Sequence, residues 1–291
     1  MINISIPHFT NKAGLYDWLI TNKSLLIAQK KSAIKQADAI SFPISYLNDK
    51  GGSVVKAESI PDSVSKIKVR SIINTTKLFD SHGDVHIDQL WNKSLKETSS
   101  LYLTKEHDLS FDGVITDEVK AFVKQVSWNE LGFNYSGMTQ ALVFDSVIEM
   151  PKRLLTKNEI VKAEMFDMYR ANKVRQHSAG MRYVKIDLAI RDERYEEENE
   201  LWNKYYDIIV NKNDVDEVGY FWPVTEARIF EGAAVIRGSN FATPTQSVQE
   251  TKGQPSTTLD DEPLSGTHKN LNLLEAINKI NFNLTLHDVA N

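Results

Sequence analysis

The sequence has no cysteine. A disulfide framework, a thiolate zinc site and a cysteine nucleophile are therefore excluded, and the composition fits a reducing cytoplasm. Long apolar runs are also missing. Stretches such as Leu25-Leu26-Ile27-Ala28 fall far short of the roughly 20 residues needed to cross a bilayer, so no membrane partner is expected. The opening MINISIPHFTNK lacks a basic start followed by an apolar stretch, so no secretory signal is expected. Positive charge is not in excess either. Lys and Arg number 34 against 39 Asp and Glu, for a net charge of -5 and a pI near 5.8. A nucleic-acid binder ordinarily carries a basic balance, so no nucleic-acid partner is expected.

What is present is ordinary for a globular chain of 291 residues: 41% hydrophobic and 25% charged. That length allows one large domain or two small ones around a sizeable core. Residues 1–65 read as an N-terminal extension. Apolar positions in LYDWLITNKSLLIAQKKSAI recur at threes and fours, as on an amphipathic helix, and SFPISYLNDKGGSVV reads as strand, turn and strand. From 66 to 240 the pattern is denser. KIKVRSII, SLYLT, QALVFDSVI, RYVKIDLAI and RIFEGAAVI read as strands. Helices are expected over 116–126, over 157–176 behind a capping box formed by Thr156 and Glu159, and over 193–210. Residues 241–270 are rich in Thr, Ser, Pro and Gly and read as a flexible linker spanning about 30 Å. Residues 271–291 regain apolar spacing and read as a helical tail that needs a packing partner. The expected class is α+β, a mixed sheet core surrounded by helices.

Four clusters carry candidate chemistry. In Asp80-Ser-His82-Gly-Asp84-Val-His86-Ile-Asp88 every second residue is Asp or His, so an extended strand would line up metal ligands on one face at intervals of about 6.6 Å. The plainer reading is a strand or turn edge, with Gly83 marking the turn. His107, followed by Asp108, closes an apolar strand, where an imidazole can serve as general base or merely cap the strand. In His177-Ser178-Ala179-Gly180-Met181, small residues flank a hydroxyl that needs a base to become a nucleophile. His177 is not that base: on an extended strand, neighbours point to opposite faces. The plainer reading of Ser178 is a small residue at a helix-to-strand joint. Glu231 interrupts an apolar strand, where a buried carboxylate requires a partner and a histidine would supply one. The plainer reading is an edge-strand glutamate facing water.

Taken in order, these segments resemble the caudovirus prohead serine proteases, relatives of the herpesvirus maturational protease. The resemblance rests on Asp80-Ser-His-Gly83-Asp84-Val, on the pair His107-Asp108, on Ser178-Ala179-Gly180-Met181, and on Glu231-Gly-Ala-Ala-Val-Ile-Arg-Gly-Ser-Asn240. The chain departs from the family pattern at Ser239-Asn240, where no proline precedes the asparagine, and at Ala233, where the family carries a small polar residue. The resemblance implies a β-barrel-like, maturational-protease fold over 66–240 and a serine endopeptidase of phage head maturation. Ser178 would be the nucleophile, His107 the base and Glu231 the third member, with Glu226 as fallback. Arg237-Gly238 would stand near the oxyanion by position. No cofactor or metal is implied. The implied substrates are the scaffold and major capsid proteins and the protease itself, with self-association, inside the prohead in the host cytoplasm. Two alternatives stand beside it: an inactive protease-fold assembly protein, and a metal-dependent hydrolase using His82, Asp84 and His86.

Overall fold

A computed structural model describes residues 6–32, 56–57, 60–61 and 63–251. The strand–turn–strand expected over 41–55 and the helical tail over 271–291 lie outside the described residues, as does most of the linker. The chain is a mixed α+β fold. It begins with α1 (Lys12–Ser32), followed by β1 (Lys56–Ala57), β2 (Lys66–Thr75), β3 (Asp84–His86), α2 (Asn92–Glu97), β4 (Tyr102–Lys105), β5 (Val114–Thr116), β6 (Val119–Ser127) and β7 (Met138–Glu149). After α3 (Lys157–Arg170) come β8 (Gln176–Ile186), β9 (Ala189–Ile190), α4 (Glu196–Tyr205), α5 (Lys212–Val218), β10 (Tyr220–Val235) and β11 (Thr245–Glu250).

Two sheets form. One runs β1-β11-β2-β7-β6, and the other runs β3-β10-β4-β5 with β8 and β9 also on β10. β10 organises the second sheet. Its length lets it pair in parallel with β3 and β4 and antiparallel with β8 and β9. A large apolar cluster joins the two sheets, with Ile73, Leu142 and Phe144 from the first and Met181, Tyr183, Trp222 and Val224 from the second. Gly232 marks how closely they approach, because a Cβ there would lie 2.8 Å from the Phe144 ring. The helix α3 starts at the expected capping box, Thr156 with Glu159. It packs Met165, Phe166 and Tyr169 against Leu103, Ile115 and Ala234.

The structure departs from the sequence reading at several points. The sheets are not closed into a barrel among the described residues. The helix expected over 116–126 is strand, ending β5 and forming most of β6. Val119, Phe122, Val123 and Val126 fit a helical spacing, yet Val119, Ala121 and Val123 also alternate. Pairing with β7 settles the choice, sending those three to the large core and Phe122 and Val126 to another cluster. Residues 245–250, placed in the linker by their polar composition, are β11, antiparallel to β2. A strand needs few apolar residues where backbone pairing holds it, and only Val248 joins the core. The helix α1 of the N-terminal extension is itself packed on the strands, with Tyr16, Leu19 and Leu26 entering the large cluster.

Candidate active site

Register determines which side chains meet. On β10, Glu231 is opposite Gly180 of β8 and Tyr102 of β4, and Ala233 is opposite Ser178 and Thr104. Directly opposed residues project to one face of a sheet, as do residues two apart on a strand. Ser178, Gly180, Glu231, Ala233 and Thr104 therefore share a face, while Gly232 and Ala234 point into the core. Diagonal neighbours such as Ser178 and Glu231 are spaced by about 7–8 Å.

Glu231 is fully buried, and both carboxylate oxygens are engaged. His107 Nδ1 lies 2.6 Å from Oε1, and the Thr104 hydroxyl donates to Oε2 at 2.6 Å. A buried carboxylate needs such partners, and the geometry assigns the proton between His107 and Glu231 to Nδ1. The neutral ring then carries its lone pair on Nε2. No room exists for a side chain at Gly180, where a Cβ would overlap the Glu231 carboxylate.

His107 reaches this position through a tight turn. Glu106 and His107 have φ of 50° and 60°, and Asp108 N–H donates to Lys105 O at 3.0 Å. Two consecutive non-glycine residues in the left-handed region cost about 1–3 kcal/mol each, and such strain gathers at functional sites. The turn is held by Glu106 N–H donating to Ala234 O at 2.9 Å and by Ile236 N–H donating to Glu106 Oε1 at 3.1 Å.

Ser178 lies on the same face as Glu231 and is nearly buried, at 7% exposure. Among the described residues, no hydrogen bond joins its hydroxyl to His107. The loop after β10 lies against it, with the Cβ direction of Gly238 pointing 3.6 Å from Ser178 Cβ. Asn240 anchors that loop. Its Oδ1 accepts from Thr75 Oγ1 (3.1 Å) and Ala242 N–H (3.0 Å), and its Nδ2 donates to Thr75 O (2.9 Å) and Asn74 Oδ1 (3.1 Å).

His177 points the other way, into the core. Its Nδ1 is 3.2 Å from Thr243 O, and its Nε2 is 2.9 Å from the Tyr169 hydroxyl. A carbonyl only accepts, so Nδ1 carries the proton and Tyr169 donates to Nε2. Burial pushes the His177 pKa down to about 4, so the ring is neutral near pH 7. Glu226 is remote from this chemistry. It pairs with Lys185 at 2.7 Å and Lys93 at 3.4 Å, and Lys185 holds its carboxyl below the usual range.

The Asp80–Asp88 cluster is not a single ligand-bearing strand. Residues 80–83 form a turn, with Gly83 at φ 72° and Asp80 Oδ1 accepting His82 N–H and Asp84 N–H. Asp80, His82 and Asp84 do come within 4.8 Å of one another, as metal ligands would. However, the Lys30 ammonium donates to Asp84 Oδ1 and His82 O, and the Tyr183 hydroxyl donates to Asp84 Oδ2 at 2.8 Å. Both Asp84 oxygens are thus taken, and a lysine supplies the positive charge. His86 is bound elsewhere, with Nδ1 3.0 Å from Asn74 Oδ1 and Nε2 3.0 Å from the Tyr183 hydroxyl. The His82–Asp84–His86 trio does not form a metal centre in this arrangement.

Two contributors were missed in the sequence reading. Thr104 is an ordinary strand former by composition, and its only signal is that it lies three residues before His107. Lys30 belongs to a Lys-Lys pair on an amphipathic helix, and nothing in its neighbours marks it as buried. Compared with known proteins, the chain matches no family model, no curated protein and no solved structure.

Proposed function

We propose that this chain is a serine endopeptidase of phage head maturation that cuts scaffold and capsid precursor proteins, and itself, inside the prohead in the host cytoplasm. The observation that carries the peptidase reading is the buried Glu231–His107 hydrogen bond on the sheet face that also holds Ser178. The phage setting, the partners and the maturational-protease fold rest on the resemblance of the short sequence segments.

In this reading His107 Nε2 takes the Ser178 hydroxyl proton as the oxygen attacks a peptide carbonyl. The carbonyl oxygen becomes an anion, which backbone amides of the 236–240 loop beside Ser178 would meet. His107 then gives the proton to the leaving amine, and the acyl-enzyme remains. A water attacks the ester while giving a proton to the same ring, and His107 then passes that proton to Ser178 Oγ as the acyl–oxygen bond breaks and the acid product leaves. Glu231 fixes the Nδ1–H tautomer throughout and stabilises the imidazolium that forms.

The missing Ser178–His107 hydrogen bond favours the alternative of an inactive assembly protein, although such bonds are often long without substrate. Two measurements separate the readings. Co-expression with the capsid and scaffold proteins should yield processed products with the wild type and none with Ser178→Ala. A fluorophosphonate should add to Ser178, located by mass spectrometry. Equal processing by Ser178→Ala would end the proposal, and a wild type that neither processes nor labels would leave the assembly role.

A further inference from the structure

We infer that Thr104 is a positioning residue for the candidate active site, holding the Glu231 carboxylate in the orientation that directs one oxygen at His107 Nδ1. The catalytic part of this inference rests on the peptidase reading, whereas the geometric part does not.

The number of contacts on a carboxylate sets how firmly it is held. A buried carboxylate with one partner can still rotate about its terminal bond, because that torsion is broad. Glu231 has an engagement on each oxygen, and the underside of the group rests on Gly180. Thr104 is itself fully buried, so no water competes for its hydroxyl. Its hydroxyl is a donor to an ionised acceptor, the stronger class of hydrogen bond, at 2.6 Å.

The covalent layout supports the same role. Thr104 lies on β4 opposite Ala233, and His107 follows it within the 105–108 turn. One short stretch of chain therefore brings a hydroxyl to one oxygen of Glu231 and an imidazole to the other. The spacing between hydroxyl and ring is set by the turn's bonds to β10, through Glu106 N–H, and to the following loop, through the Glu106 carboxylate, so Thr104 registers the carboxylate of Glu231 against His107.

The test uses the full chain and four proteins: wild type, Ser178→Ala, Thr104→Val and Thr104→Ser. Two readouts are taken. One is labelling by a fluorophosphonate, separated into the rate at saturation and the half-saturating concentration. The other is the proton NMR resonance of His107 Nδ1–H, which a fixed bond to a carboxylate shifts downfield and protects from exchange. Thr104→Val should lower the saturating rate about 10–100-fold, the range by which losing the partner that orients a metal ligand lowers activity, with the half-saturating concentration unchanged. Its Nδ1–H resonance should broaden or vanish. Thr104→Ser keeps the hydroxyl and should retain both signals within a few-fold.

A folded Thr104→Val with wild-type rate and resonance would overturn the inference, as would a Thr104→Ser that loses both. Should the valine chain not fold, the serine chain decides: retention supports the hydroxyl's role and loss refutes it. If wild type is not labelled at Ser178, the peptidase reading fails by itself, and the resonance still decides whether Thr104 orients Glu231.

Discussion

Gly180 and Glu231 face each other across the β8–β10 pair with no space for one further carbon between them. The glycine is required for clearance and not for backbone freedom, since it is not among the glycines with positive φ. Gly180→Ala should therefore fold with the same strand geometry but push the carboxylate off His107. A loss of about 1–3 kcal/mol is expected from the overpacking, together with a fall in fluorophosphonate labelling at least as large as for Thr104→Val. Chemical denaturation and labelling of the same preparation test this, and unchanged labelling would count against the His107–Glu231 arrangement.

The two glutamates of β10 should behave very differently. Glu231→Gln replaces an acceptor-only group with an amide that no longer enforces the Nδ1–H tautomer. A loss in labelling rate of about 10³–10⁴-fold is expected, on the scale seen when a serine triad's acid is made an amide. Glu226→Gln breaks only partly solvated pairs with Lys185 and Lys93 and should leave stability close to wild type, with no loss of labelling. The reverse ranking would reassign the acid.

His177 gives the fold a dependence on acid. Its folded pKa lies near 4, below the ordinary value of 6.5, because burial disfavours the charged ring. The unfolded chain therefore binds the extra proton first as pH falls, and stability drops between about 6.5 and 4 and levels off below that. The contribution is on the order of 3 kcal/mol. Urea midpoints at pH 7 and pH 4.5, compared between wild type and His177→Gln, measure it. The gap between the two proteins should narrow at pH 4.5, and a constant gap would refute the assignment.

The ion pair between Lys30 and Asp84 is buried on both sides, and it ties α1 to the sheet. Lys30→Met leaves a carboxylate in the interior without its cation, which costs about 3–5 kcal/mol. Adding Asp84→Asn should recover a large part of that, because the uncompensated charge is then gone. Thermal unfolding of the two variants checks both statements, and chelator treatment should leave wild-type melting unchanged. A chelator-induced drop would restore the metal reading.

The sequence was most legible where a single periodicity was unopposed. The alternation in β2 and at the start of β8 foretold strands, the apolar segments SLYLT, QALVFDSVI and RIFEGAAVI foretold β4, β7 and the end of β10, and Thr156 with Glu159 foretold the start of α3. The opposite orientations of His177 and Ser178 followed from strand geometry alone. Legibility failed where two periods fitted the same residues, as in β6, and where backbone pairing rather than apolar content held a strand, as in β11.

By itself the sequence determined the residue types available to the site: a serine among small residues, a histidine at a strand end, and a glutamate too costly to bury alone. These are local properties, set by composition and by the two-residue repeat of extended chain. Only the tertiary structure decided that Glu231 rather than Glu226 meets His107, that Thr104 takes the second oxygen, and that Lys30 occupies the acidic cluster. Those outcomes depend on how segments far apart in the chain are set against one another, and a shift of one residue in β10 would have turned Glu231 to the other face, away from His107 and Thr104.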